Sequence, residues 1–383
     1  MFHIESSEAD HIMLMVDLED SHVNSPVNSP VNSPGPVPAL WLRELSPSQD
    51  QLDRITQQRL FNPHQLDEDL HYTAIELNED HVSVEFSDGY KGMFPKDTII
   101  KALRGEAIIT LPPPIAWKAE IAAACPKISW QQLEAQHNDE AMLEALTLYY
   151  RYGFIIIDDI PITPEGIKPI AHKFGFIRTT NFGEVFDVVS KPLSDDLAYR
   201  SVALDAHTDN PYREPTPGIQ LLFCLVNETA GGLSMLADSF ACIDQLKAED
   251  PQAFALLGKV KLTFQYKVGD QWLASERPML ELDQAGNWVG LHYSPRLDKM
   301  PLMPPQETKL YHHARRRLSQ LFCDPLYEYR FLLTPGSCML FDNNRILHGR
   351  TAYNQNEGLR HLQGCYIDRD ALASTYRHLK ERM

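Results

Sequence analysis

Ala206-His207-Thr208-Asp209-Asn210-Pro211-Tyr212 is the stretch around which the rest of the chain is organised. At its centre is His-x-Asp. A strand turns alternate side chains to one face, so His207 and Asp209 can point at a common centre. An imidazole and a carboxylate together suit a divalent first-row metal. A third donor lies far down the chain, His348 in Phe341-Asp342-Asn343-Asn344-Arg345-Ile346-Leu347-His348-Gly349-Arg350.

Two histidines and one carboxylate on one face, with the remaining positions open, are the donor set of non-haem Fe(II) oxygenases. For His-x-Asp alone the plainer alternative is a hydrogen bond within a loop, with His348 unrelated. A zinc hydrolase is a further alternative, but no general base is evident beside the triad. The surroundings weigh for iron.

With 383 residues the chain is long enough for one large domain and a smaller one. Its apolar fraction, 43%, is that of a globular protein, and its net charge of −17 argues against a nucleic-acid backbone or an anionic membrane as partner. The six cysteines are scattered without a CxxC pair. They read as reduced residues of a cytoplasmic protein. Met1-Phe2-His3-Ile4-Glu5 lacks the basic start and apolar run of a signal peptide. No stretch approaches the roughly 18 apolar residues of a membrane span.

Residues 1–38 are expected to be weakly structured. Val23-Asn24-Ser25-Pro26 occurs three times in succession, through Pro34, and proline at that spacing suits neither a helix nor a central strand. Residues 39–105 read as a small β-rich domain, with alternation in Val82-Ser83-Val84-Glu85-Phe86 and a turn at Ser87-Asp88-Gly89. Residues 106–135, around Pro112-Pro113-Pro114, read as a linker. From 136 to 383 the spacing predicts a helix over Asn138–Arg151, a buried strand over Gly153–Asp158 and a helix over Thr163–Phe174. Phe240–Leu257 should break into two helices at Pro251. Short strands follow, with a helix over Glu307–Phe322. Many short strands among a few helices fit an α+β chain with a double-stranded β-helix, or jelly-roll, core.

At His207-Thr208-Asp209, Pro217-Gly218-Ile219-Gln220-Leu221-Leu222, Gly231-Gly232, Asp342 to Arg350, and Arg360-His361-Leu362-Gln363-Gly364-Cys365-Tyr366, the chain resembles the γ-butyrobetaine hydroxylase family. The resemblance covers roughly residues 39–375. It implies a jelly-roll core, Fe(II), 2-oxoglutarate as cosubstrate, ascorbate as a stimulant of turnover, and a homodimer. It assigns iron to His207, Asp209 and His348, and the far carboxylate of 2-oxoglutarate to Arg360. A guanidinium offers that carboxylate a bidentate fork. Leu222 and Thr208 match positions lining the same pocket.

The family acts on small trimethylammonium compounds. Such a cation donates no hydrogen bond and is held by aromatic faces. Tyr199, Tyr366, Phe182 and Phe186 fall where the family places its cage. Two departures stand out. The family's structural zinc is held by cysteines just after a Trp-Leu-Arg-Asp segment. Here Trp41-Leu42-Arg43-Glu44 is followed by Ser46, Ser48 and Gln51 at those positions. Hydroxyls and an amide are poor zinc ligands, so no structural zinc is expected. The second departure is at the substrate's anionic end. The family's asparagines are missing there, and Asp196 and the His292-Tyr293-Ser294-Pro295-Arg296 segment stand instead. Arg296 would attract an anion.

The resemblance therefore implies an Fe(II)- and 2-oxoglutarate-dependent dioxygenase hydroxylating a small quaternary ammonium substrate, with γ-butyrobetaine first and 2-(trimethylamino)ethylphosphonate as the alternative. Trimethyllysine comes third. A catalytically silent quaternary-ammonium-binding protein is the rival from another class.

Overall fold

The computed structural model describes residues 1–6, 12–16, 35–105, 108–135, 138–189, 202–229 and 231–383. The Val-Asn-Ser-Pro repeats, Asp196 and Tyr199 lie outside them. The chain divides into two units, Met1–Thr110 and Leu111–Met383.

In the first unit, β1 (Phe2–Ser6), β2 (Ile12–Val16) and β3 (Gly35–Val37) join β4 (Tyr72–Leu77), β5 (His81–Phe86) and β6 (Lys91–Pro95) in one sheet, ordered β1-β2-β4-β5-β6 with β3 also on β2. The expected weakly structured start is thereby corrected for Phe2–Ser6 and Ile12–Val16. Ile12-Met13-Leu14-Met15-Val16 is apolar throughout and shows no period of its own. Its pairing with β4, where Ile12 faces Tyr72, selects the face that buries Leu14 and Val16. Two helices, α1 (Ala39–Glu44) and α2 (Lys96–Leu103), accompany this sheet. Leu42, Val82, Val84, Phe86, Phe94 and Ile99 share its core.

The second unit begins earlier than the sequence suggested. Within the expected linker, β7 (Lys127–Ser129) runs parallel to β8 (Phe154–Asp158), and α3 (Trp130–Glu134) follows. Trp117 is buried, its ring 5.3 Å from that of Phe154. Prolines at 112–114 mimic a linker, but the apolar residues after them belong to the larger core.

Helix α4 (Asp139–Tyr152) begins where the Asn138 side chain accepts from the Ala141 amide. It buries Met142, Ala145, Leu146 and Tyr149, and ends at Gly153, whose φ of +77° belongs to the left-handed region. A Cβ there would also lie 2.8 Å from Ile346. Helix α5 (Ile167–Phe174) comes next, then β9 (Phe186–Val189), β10 (Leu204–His207), β11 (Ile219–Asn227) and β12 (Ser234–Asp238). Helices α6 (Ser239–Glu249) and α7 (Pro251–Lys259) break at Pro251 as expected. A hairpin of β13 (Lys261–Val268) and β14 (Gln271–Pro278) leads through short strands β15 (Leu280–Leu282), β16 (Trp288–Leu291) and β17 (Asp298–Lys299) to α8 (Pro305–Phe322). Then come β18 (Glu328–Phe331), β19 (Cys338–Asp342), β20 (Ile346–Arg350), β21 (Arg360–Ile367) and α9 (Arg369–Arg382).

Two sheets frame the site. One is ordered β10-β20-β12-β18, the other β7-β8-β19-β11-β21-β9. The chain crosses between them at Asn343–Arg345. Arg345 holds the crossing in place, donating twice to Asp238 at 3.0 and 2.9 Å and also to the carbonyls of Arg151 and Ile115. From β9 onward, strands that alternate between two sheets, antiparallel except at the β7–β8 edge, are consistent with a jelly-roll core. Among the described residues, no helix is long and apolar enough to cross a membrane.

Candidate active site

His207 and His348 are directly opposed in the antiparallel pair β10–β20, which brings their ring centroids to 4.4 Å. Asp209 completes the cluster from beyond the end of β10. Its Oδ1 lies 3.4 Å from His207 Nε2, and its Oδ2 lies 3.8 Å from His348 Nε2. The ligand atoms of the three residues all lie within 4.8 Å of one another.

The expected single strand through both His207 and Asp209 is corrected, because β10 stops at His207. Asn343 does the placing instead. Its Nδ2 donates to the Asp209 carbonyl at 2.9 Å, and its Oδ1 accepts from the Asp209 amide at 2.7 Å. Thr208 is pinned as well: its amide donates to the Tyr293 carbonyl and its hydroxyl accepts from the Tyr293 amide.

The electrostatics suit a metal. His207 Nδ1 faces the Asp205 carbonyl at 2.8 Å. A carbonyl only accepts, so that nitrogen carries a proton and the ring presents Nε2 to the cluster. Burial pushes the His348 imidazole down to about 3, helped by the neighbouring His207 and Arg296 charges. Burial opposes ionisation of Asp209, but His348, His207 and the Tyr366 hydroxyl outweigh it and hold the carboxyl below the ordinary carboxylate range. A neutral His348 imidazole beside an ionised Asp209 carboxylate is in the form that ligates.

A cavity of about 440 Å³ opens on this cluster, lined from both sheets. Arg360 reaches it from β21. It is 3% exposed, and among the described residues its Nε and Nη1 find no hydrogen-bond partner. Leu222, Leu362 and Met339 also line the cavity. A buried guanidinium with idle donors is costly by itself and fits a carboxylate ligand. With the His/Asp/His donors, this gives the residues a good match to Fe(II) chelated by a keto acid.

Rings line the same cavity. Phe182 and Phe186 stand 6.1 Å apart, Phe186 and Tyr366 5.3 Å, and Phe182 and Tyr266 6.0 Å. Tyr212 stacks on Tyr266 at 5.1 Å. Phe186 fits because Gly364 is opposite it across β9–β21, where a Cβ would overlap its ring and lie 3.1 Å from Leu222. The Tyr366 hydroxyl donates to Asp209 Oδ2 at 2.7 Å. Burial and the Asp209 charge raise its pKa well above the ordinary tyrosine value, so it stays a donor. Arg296 also lines the cavity, with Ser294, Gln265 and Lys267.

Ten of the residues singled out from sequence line this one cavity: His207, Thr208, Asp209, Leu222, His348, Arg360, Phe182, Phe186, Tyr366 and Arg296. Sequence reading missed Tyr266, Tyr212 and Asn343. Asn343 and Tyr212 stood inside quoted segments without a role. Tyr266 lies within β13 and carried no signal beyond an apolar position in a strand.

Residues 110–366 match the taurine catabolism dioxygenase TauD, TfdA family, and the chain belongs to it. A γ-butyrobetaine dioxygenase from Pseudomonas sp. (strain AK-1) is 32% identical over 88% of this chain and 89% of its own length. A mitochondrial trimethyllysine dioxygenase from Gallus gallus is 30% identical over 89% and 82%. Among solved structures, a taurine dioxygenase from Burkholderia xenovorans aligns with a TM-score of 0.48 at 16% identity, over 67% of this chain and 89% of that one. The protein is a 2-oxoglutarate-dependent dioxygenase that uses Fe(II).

Proposed function

We propose that this dioxygenase hydroxylates a C–H bond of a small trimethylammonium acid, with γ-butyrobetaine as the first substrate. The observation that carries the reading is the row of rings Phe186, Phe182 and Tyr266, with Tyr366, in the cavity that also holds the His/Asp/His cluster. A trimethylammonium group is attracted to aromatic faces and cannot compete for hydrogen bonds. The names of the γ-butyrobetaine and trimethyllysine dioxygenases to which the chain is similar agree with it.

In this reading His207, Asp209 and His348 would hold Fe(II). Bound Fe(II) with 2-oxoglutarate supplies the oxidising power, with release of succinate and carbon dioxide. Arg360 receives the far carboxylate of 2-oxoglutarate, and Leu222 packs beside it. The rings orient the cation so that a chosen carbon faces the metal side of the cavity, and they keep water from the reacting C–H bond. Arg296 takes the anionic tail. Tyr199 keeps the cage role that the resemblance implies, and Asp196 stands where the family's anion-binding residue would be.

A second reading is favoured by Arg296 and by Ser294, whose buried hydroxyl lines the cavity without a partner. A phosphonate tail, as in 2-(trimethylamino)ethylphosphonate, offers these donors more acceptor oxygens than a carboxylate. A panel of trimethylammonium acids, with succinate and hydroxylated product both measured, tests the proposal. One acid should raise succinate well above the substrate-free background with matching product. No coupled turnover across the panel would overturn it. Arg296→Ala should lower kcat/KM for the phosphonate more than for the carboxylate; an unchanged ratio removes the second reading.

A further inference from the structure

We infer that Tyr366 is a positioning residue that ties the metal site to the cation pocket, its hydroxyl fixing the Asp209 carboxylate while its ring forms part of the pocket wall. The ring half rests on the proposed function; the hydroxyl half does not.

Asp209 is beyond its strand and needs two anchors. Asn343 fixes its backbone through a reciprocal pair of hydrogen bonds. That pair leaves the carboxylate free to rotate about the side-chain bonds. The Tyr366 hydroxyl, 2.7 Å from Oδ2, removes that freedom. Oδ1 is then held facing His207 Nε2 at 3.4 Å. Tyr366 is itself rigid. It is 3% exposed near the C-terminal end of β21, paired across from Gln220 on β11. Its ring is 5.3 Å from Phe186 at an interplanar angle of 32°, so one side chain has its polar end on a metal donor and its aromatic body among the rings. Groups that hydrogen-bond a ligating side chain set its orientation, and their loss typically costs about 10–100-fold in metal affinity or activity.

The two ends can be removed separately. Tyr366→Phe deletes the hydroxyl and keeps the ring; Tyr366→Leu deletes both. Mn(II) affinity is measured by competition with a chelating dye. Binding of γ-butyrobetaine, and of its neutral carbon isostere, is measured by calorimetry on protein loaded with Mn(II) and 2-oxoglutarate. Circular dichroism checks the fold. Tyr366→Phe should weaken Mn(II) about 10–100-fold while leaving γ-butyrobetaine binding to metal-saturated protein within about three-fold of wild type. Tyr366→Leu should lose Mn(II) affinity to the same degree and also lose the preference for the cation over its isostere. Wild-type Mn(II) affinity in a folded Tyr366→Phe protein would overturn the inference. If the wild type itself shows no preference for the cation, the proposed substrate class falls and the ring half with it. The Mn(II) comparison still decides the hydroxyl.

Discussion

Arg360 in the large unit and Arg43 in the small one are both guanidiniums withdrawn from water, 3% and 6% exposed. Their surroundings differ completely. Arg43 donates to Asp88 at 2.9 Å, Ser46 at 2.9 Å and Gln51 at 3.0 Å, and sits 3.9 and 4.7 Å from the ring centroids of Tyr90 and Phe61. Ser48 bonds the Tyr90 hydroxyl, completing the shell. Arg360 has idle donors at Nε and Nη1 and one ring near it, Tyr353, at 5.7 Å. A buried cation that is answered from within holds its neighbours together. One left unanswered destabilises the fold until a ligand arrives. Ser46, Ser48 and Gln51, the positions where the resemblance led one to look for zinc ligands, are engaged in the first kind of arrangement.

The comparison can be broken or sharpened by substitution. The largest effect belongs to the metal cluster beside Arg360: His207→Ala or His348→Ala should abolish turnover with the fold intact, as read by succinate release and circular dichroism. Retained iron and rate in both variants would dismiss the cluster. Next comes Arg360→Ala. Loss of a buried charge-assisted pair typically costs about 2–5 kcal/mol, so 2-oxoglutarate should bind about thirty-fold to several thousand-fold more weakly. The unfolding midpoint should not fall, because the unanswered charge has gone. A fall in stability with 2-oxoglutarate affinity preserved would place Arg360 with Arg43.

Arg43→Met should behave in the opposite way. It removes hydrogen bonds to three side chains and leaves Asp88 without its partner, at a cost of about 1–3 kcal/mol. Urea unfolding of the full chain reads that loss, and 2-oxoglutarate affinity should be unchanged. Dialysis of the wild type against a chelator should leave the small unit's transition in place; a shift, with one zinc per chain recovered, would show that these residues serve a metal after all. The smallest effect is expected at Tyr266→Leu. Loss of one cation–ring contact, about 0.5–2 kcal/mol, should weaken a trimethylammonium substrate by roughly a few-fold to thirty-fold and spare 2-oxoglutarate. No change would take Tyr266 out of the pocket wall.

The clustering of His207, Asp209 and His348 was legible because a metal donor's chemistry is carried by residue type, and one short segment held two of the three. Arg360 was legible through its segment after His348. What the sequence could not convey was the means of placement. Asp209 is held by Asn343, more than a hundred residues away, and nothing in Asp342-Asn343-Asn344 separates that role from an ordinary turn. Tyr266 enters the site on a hairpin whose approach depends on tertiary packing. The strand at Ile12–Val16 and the buried Trp117 were hidden for the same reason: an apolar run beside prolines or acidic residues shows its partner only once a distant element packs against it.

Gly364 has a consequence for how substrate range can change. At this position the bare backbone lets the Phe186 ring rest against the sheet, with Leu222 on the other side of the same gap. One methyl group, in Gly364→Ala, would press on Phe186 and Leu222 together, the side chains proposed to line the cation pocket and the cosubstrate side. The cavity's width is thus governed from outside its lining, by an atom that is missing. A lineage seeking to admit a bulkier or slimmer ammonium compound would meet a constraint here that reshaping the rings alone does not lift.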